Sequence, residues 1–136
     1  MKKKLIIVVC MLFLGTLVIV LPSTFGKRPF IKLSANEILS AEIFIIPPNT
    51  TVKLVNTEDI AKLTEILNEI IIYREDDSGR EYDGQLVQAM ITLKNGEIHN
   101  IGAYGSFLFL NDKCYRTKYG PSEKLNAFGN GILNGQ

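Results

Sequence analysis

Apolar and polar positions change rhythm several times along the chain, and each change marks an element. Residues 5–21 (LIIVVCMLFLGTLVIVL, from Leu5 to Leu21) form a run of 17 without a charge, preceded by Lys2, Lys3 and Lys4 and followed by Pro22. As a helix this run is about 26 Å long at ~1.5 Å per residue, near the ~30 Å of a hydrocarbon core. It exceeds the roughly 7–15 residues of a signal-peptide apolar region. The pattern therefore predicts a transmembrane anchor, with a signal peptide cleaved near Gly26 as the alternative, since Thr24 and Gly26 form a small-x-small site. Lysines held in the cytoplasm place residues 27–136 outside.

Beyond the anchor the period shortens. Residues 38–46 (ILSAEIFII) predict a strand, residues 30–33 could form a short one ahead of it, and TVKLV at 51–55 predicts a second after the turn-forming PPNT. Residues 57–72 then carry Ile60, Leu63, Leu67 and Ile70 at helical spacing, with Asn56 or Thr57 as cap and Glu58 and Asp59 in the first turn. A polar stretch, YREDDSGREYDG at 73–84, predicts a solvated loop. Val87, Ala89, Ile91 and Leu93 alternate with polar or less apolar residues, and Asn95-Gly96 signals a type I′ hairpin into residues 97–103. FLFL at 107–110, a turn at Asn111-Asp112, a strand at 114–119 and a short helix opened by Pro121 complete the chain. The sum is an α+β fold: an N-terminal transmembrane or signal helix, then one long helix packed on an antiparallel β-sheet (a β-β-α-β-β-β-β meander) with a short C-terminal helix. Two units follow, 1–26 and an extracytoplasmic domain 27–136.

Composition sharpens this division. The whole chain has 136 residues and a formal charge of +1. Three of its basic residues precede the apolar run, so residues 27–136 hold 12 basic against 14 acidic side chains, a net −2. A slightly acidic domain is a poor partner for nucleic acid. Two cysteines and one histidine exclude a disulfide scaffold or a histidine-rich zinc site. Cys10 falls within the apolar run, which leaves Cys114 without an intramolecular partner.

Candidate chemistry is thin. The acidic cluster Glu75, Asp76, Asp77, Ser78, Glu81 and Asp83 fails the Ca²⁺-loop spacing, because counting from Asp76 the fifth and sixth positions are Arg80 and Glu81. Glu97 and His99 share a strand face at i,i+2, but no nucleophile is spaced to join them. No glycine-rich phosphate cradle is present. Expected, then, are no catalytic residues, no metal site and no cofactor. What remains is a concentration of aromatic and basic side chains on adjacent strands. Tyr104, Phe107, Tyr115, Arg116, Lys118 and Tyr119 are the candidate binding surface, since alternation sends about half of such a set away from the core.

The lysine-led apolar run, the NTEDIAKLTEILNEI helix and the LKNGEIHNI and FLFLNDKCYRTKY hairpins together resemble small uncharacterised exported or membrane-anchored proteins of Gram-positive bacteria. The resemblance implies a cell-envelope location and an accessory or sensing role, and it carries over no functional residue. The reading is thus a non-enzymatic, partner-binding or sensor module on the cell membrane, held through residues 5–21 and facing an envelope or secreted protein. Secretion after cleavage near Gly26 is the alternative location, and a small inhibitor or immunity-type protein is the alternative function.

Overall fold

The computed structural model describes residues 1–135, with side chains at all of these but 17–24. After α1 (Lys2–Phe25) come β1 (Ile38–Ile46), β2 (Thr50–Lys53), α2 (Thr57–Glu69), β3 (Ile72–Glu75), β4 (Leu86–Leu93), β5 (Ile98–Tyr104), β6 (Phe107–Leu110), β7 (Lys113–Thr117) and α3 (Tyr119–Asn134). Two 3-10 segments, Ala35–Glu37 and Asp77–Glu81, interrupt the connections. The seven strands form one antiparallel sheet ordered β2-β1-β4-β5-β6-β7-β3.

Alternation along the strands divides the side chains between two faces. The inner face holds Ala41, Ile43 and Ile45 of β1, Val87, Ala89 and Ile91 of β4, Ile101 and Ala103 of β5, and Leu108 of β6, all buried. The C-terminal helix α3 crosses it, and α2 packs beside α3. Leu63, Ile66 and Leu67 of α2 join Leu125 and Phe128 of α3 in a single core with these strands. The helix comes close to the sheet at Gly129, where a Cβ would stand 2.4 Å from Val87 Cγ1 and 3.2 Å from Ile43 Cγ2. A glycine lets α3 lie directly on β1 and β4.

The expected helix-on-sheet arrangement is corrected here. No long helix packs on the sheet in the way the spacing suggested: α2 ends at Glu69 and leans mainly on α3 and the Ala35–Glu37 turn, while the C-terminal helix crosses β1, β4, β5 and β6. Ile70 leaves helical geometry at φ −61°, ψ 131°, and its N–H closes on Leu67 O, so the β-branched run beyond it becomes strand. Ile72 then pairs with Thr117, which creates β3 at the sheet edge and brings the strand count to seven rather than six. Residues 30–33 turn instead of forming a strand, although Phe30 is buried. The β4–β5 hairpin also differs in detail. Gly96 alone takes positive φ, at 92°, and its N–H donates to Leu93 O, which is a three-residue loop and not a type I′ turn.

The transmembrane expectation is corrected as well. Among the described residues no helix is long and apolar enough to cross a membrane. Side chains 17–21 of the expected span lie outside the described residues. The helix also continues past Pro22 to Phe25.

Two glycines on α3 give a paired expectation. Gly129→Ala lowers unfolding free energy by about 1–3 kcal/mol, because Val87 is stiff at χ1 and cannot yield to the new methyl. At Gly131 a Cβ meets nothing within 4 Å, so Gly131→Ala is neutral or stabilises by up to about 1 kcal/mol. Urea titration of the two variants checks the contrast.

Candidate ligand-binding hollow

On the outer face of the sheet, β5, β6 and β7 bring Tyr104, Phe107 and Arg116 into one row: Tyr104 pairs with Phe107, and Phe107 with Arg116. The chain between β5 and β6 turns tightly at Gly105, whose φ is 59°, and Thr117 N–H donates to Ser106 O at 3.0 Å, tying the turn to β7. Tyr119, the first residue of α3, arrives just beyond. Together with Tyr82, Asp83, Gly84 and Gln85 these residues line a hollow of about 340 Å³. Four of the six residues singled out from the sequence (Tyr104, Phe107, Arg116 and Tyr119) therefore converge on it.

The other two do not. Tyr115 has the opposite parity on β7 and packs half-buried against the core. Lys118 follows the end of β7, where its N–H donates to Ile71 O, and faces a separate hollow with Arg28 and Lys124. Arg116 and Lys118 thus do not form the shared cationic face that strand alternation suggested, because the strand stops at Thr117.

Arg116 is held on two sides. Its Nε donates to Asp76 Oδ2 at 2.8 Å, and its guanidinium lies 4.3 Å from the centroid of the Phe107 ring. Nε is the one guanidinium nitrogen of Arg116 with a hydrogen bond among the described residues, which leaves both Nη groups free of one while Arg116 lines the hollow. Asp76 Oδ1 meanwhile accepts from Ser78 N at 3.1 Å and Ser78 Oγ at 2.6 Å. These Ser78 bonds, followed by the one from Arg116, hold the Asp76 carboxyl well below the ordinary carboxylate range.

The stretch expected to be a solvated loop is accordingly a cap. The segment Asp77–Glu81 lies on the outer face, with Asp76 N–H donating to Cys114 O at 2.9 Å and Arg80 Nε to Asp77 Oδ1 at 2.9 Å. Arg80 also stands 5.6 Å from the Phe109 ring centroid. Gly79 seals the arrangement: a Cβ there would be 2.6 Å from Phe107 Cγ and 2.7 Å from Cys114 Sγ. Cys114 is 1% exposed, and burial pushes its thiol up.

Tyr82, at the end of the cap, supplies a wall of the hollow. Its ring meets Tyr104 edge-on at 6.0 Å and Phe107 at 5.3 Å between centroids, yet the residue is 62% exposed. Tyr119 opposite is 57% exposed. The Tyr104 hydroxyl is buried with no hydrogen-bond partner, and burial, followed by the charge of Asp83, pushes its phenol up. Gln85 is engaged, accepting from Asn130 at 2.9 Å and donating to Pro47 O at 3.2 Å. Tyr82 and Asp83 were missed from sequence; an aromatic within the charged tract GREYDG was the available signal.

Elsewhere the chemistry is dispersed. His99 Nε2 lies 3.7 Å from Glu97 Oε2 and its ring packs edge-on to Phe30 at 5.6 Å, on the inner face. Cys114 points to the outer face, so these two cannot act on one substrate atom. Among the described residues no three His, Cys, Asp or Glu side chains are grouped to hold a metal ion. Compared with known proteins, the chain matches no family model, no curated protein and no solved structure.

Two outcomes follow from the cap. Gly79→Ala lifts it, costs about 1–3 kcal/mol and exposes Cys114, which changes from resisting a water-soluble disulfide reagent to reacting with it; unchanged protection would contradict the packing. Because the folded Asp76 value is depressed, its stabilisation is present above the ordinary carboxylate pKa and is lost as pH falls below about 4. Asp76→Asn therefore lowers the melting temperature at neutral pH and flattens its fall on acidification, measured by circular dichroism.

Proposed function

We propose that the chain is a non-enzymatic binding module of the cell envelope, with the Arg116 hollow as its recognition site. The observation that carries this reading is the convergence of Tyr82, Tyr104, Phe107, Tyr119 and Arg116 from the cap, three strands and a helix onto one concave surface. A small pocket with aromatic walls and a few placed polar groups is the usual form of a binding site, and Arg116 comes already oriented by Asp76 and Phe107. Preorganisation of that kind favours binding, since little side-chain entropy remains to be lost.

The envelope half of the reading rests on the sequence. Lys2, Lys3 and Lys4 precede the uncharged run, and the chain resembles exported proteins of Gram-positive bacteria. Its described apolar side chains, from Leu5 to Leu14, are exposed along α1, whereas those on the inner face of the sheet are buried. On this reading residues after Gly26 work outside the cytoplasm and meet an envelope component.

Retention of the full chain on isolated Gram-positive envelope material, in mild detergent to suppress contacts by α1, tests the proposal. The variant Tyr119→Ser, at an exposed rim residue, leaves the Arg116 contacts with Asp76 and Phe107 in place and is expected to be retained about tenfold less than the parent. Equal retention would remove the hollow from the account.

A further inference from the structure

The charges around the hollow narrow what it accepts. Arg116, whose Nη groups have no hydrogen bond among the described residues, and Asp83, exposed and also without one there, both line the hollow, a donor and an acceptor. An anion drawn to Arg116 would also face Asp83, and a cation drawn to Asp83 would face Arg116. A group that both donates and accepts, and carries no net charge, satisfies the two at once. Vicinal hydroxyls do this: one donates to a carboxylate while its neighbour accepts from a guanidinium.

Shape points the same way. Tyr82 and Tyr119 expose more than half of their surface at the rim, with the Phe107 and Tyr104 rings behind them. A flat ring with axial C–H bonds stacks on such faces without needing a charge, burying apolar area as it does so. The volume of about 340 Å³ lies at the lower end of the roughly 300–1,000 Å³ of small-molecule sites, which suits one ring and not an extended chain.

We propose that the hollow binds a single pyranose ring of an uncharged glycan, stacked on Tyr119 or Tyr82, with its vicinal hydroxyls bridging Arg116 and Asp83. This rests on the hollow being the recognition site and names its ligand class. The rest of the glycan runs out over the open rim.

The full chain, labelled with ¹⁵N in detergent micelles, is titrated with four neutral oligosaccharides: the tetramers of N-acetylglucosamine, glucose (α-1,4), mannose and galactose. Acetate, inorganic phosphate and a trilysine peptide serve as charged probes. The expected result is that at least one tetramer shifts the amides of residues 82–84, 104–107 and 116–119. Its affinity is unchanged between low and high salt, because no counter-charge is involved. Tyr119→Ala and Asp83→Asn each weaken it about tenfold, while Lys118→Ala, on the other side of β7, leaves it unchanged.

Binding of phosphate or acetate, lost at high salt, with none of the tetramers bound would overturn the glycan assignment and leave the recognition site in place. Failure of every probe also overturns it; envelope retention that still depends on Tyr119 then preserves the broader reading. A tetramer whose shifts map to the inner-face helices, with no dependence on Tyr119, counts against both.

Discussion

Arg116 is the residue on which the outer half of the molecule depends. A guanidinium on a strand is ordinarily solvated, but here its Nε meets Asp76 at 2.8 Å and its plane covers Phe107. Those two contacts fasten the Asp77–Glu81 cap to β6 and β7. With the cap in place Cys114 is buried, Phe107 has a roof, and Tyr82 is delivered to the wall of the hollow. Removing the Arg116 side chain takes away the 2.8 Å side-chain link between Asp76 and β7, leaving Asp76 with Ser78, the looser Arg74 contact at 3.7 Å and its N–H bond to Cys114 O. The site and the cap are therefore one construction.

The two faces of the sheet are stabilised differently. The inner face is closed by apolar burial beneath α3, where Gly129 lies directly against Val87 and Ile43, and α2 adds its apolar side to the same core. The outer face is closed only in part, by polar and cation–π contacts around the cap, and it ends at an open rim of tyrosines. A hydrophobic core tolerates no water, so recognition falls to the face where charge and aromatic surface stay accessible.

Much of the fold could be read along the chain where the signal was local. The strand Ile38–Ile46 has the bounds that its β-branched run and the Pro47-Pro48 stop predict. The start of α2 at Thr57, capped by Asn56, likewise follows from adjacent residues. What failed depended on distant partners. The β3 residues Ile72–Glu75 look like the entrance to a polar loop, and only pairing with β7 makes them a strand. The third helix holds Gly120, Gly129 and Gly131, which lower its intrinsic preference, while burial of Leu125 and Phe128 on the sheet overrides that deficit. The membrane span was read from an unbroken apolar count, but among the described residues no helix is long and apolar enough to cross a membrane.

The candidate site divides in the same way. Tyr104, Phe107, Arg116 and Tyr119 came from clustering within sixteen residues, and hairpin pairing does bring them together. Tyr82 and Asp83 lie more than twenty residues earlier and reach the site only because the cap folds back. Hydrogen exchange tests that folding back directly. The account predicts that the Asp76 amide, bonded to Cys114 O, exchanges as slowly as the amides of β6 and β7, and that Arg116→Ala speeds it while β4 and β5 stay protected. An Asp76 amide exchanging at the rate of an unstructured loop would contradict the cap and the site built on it.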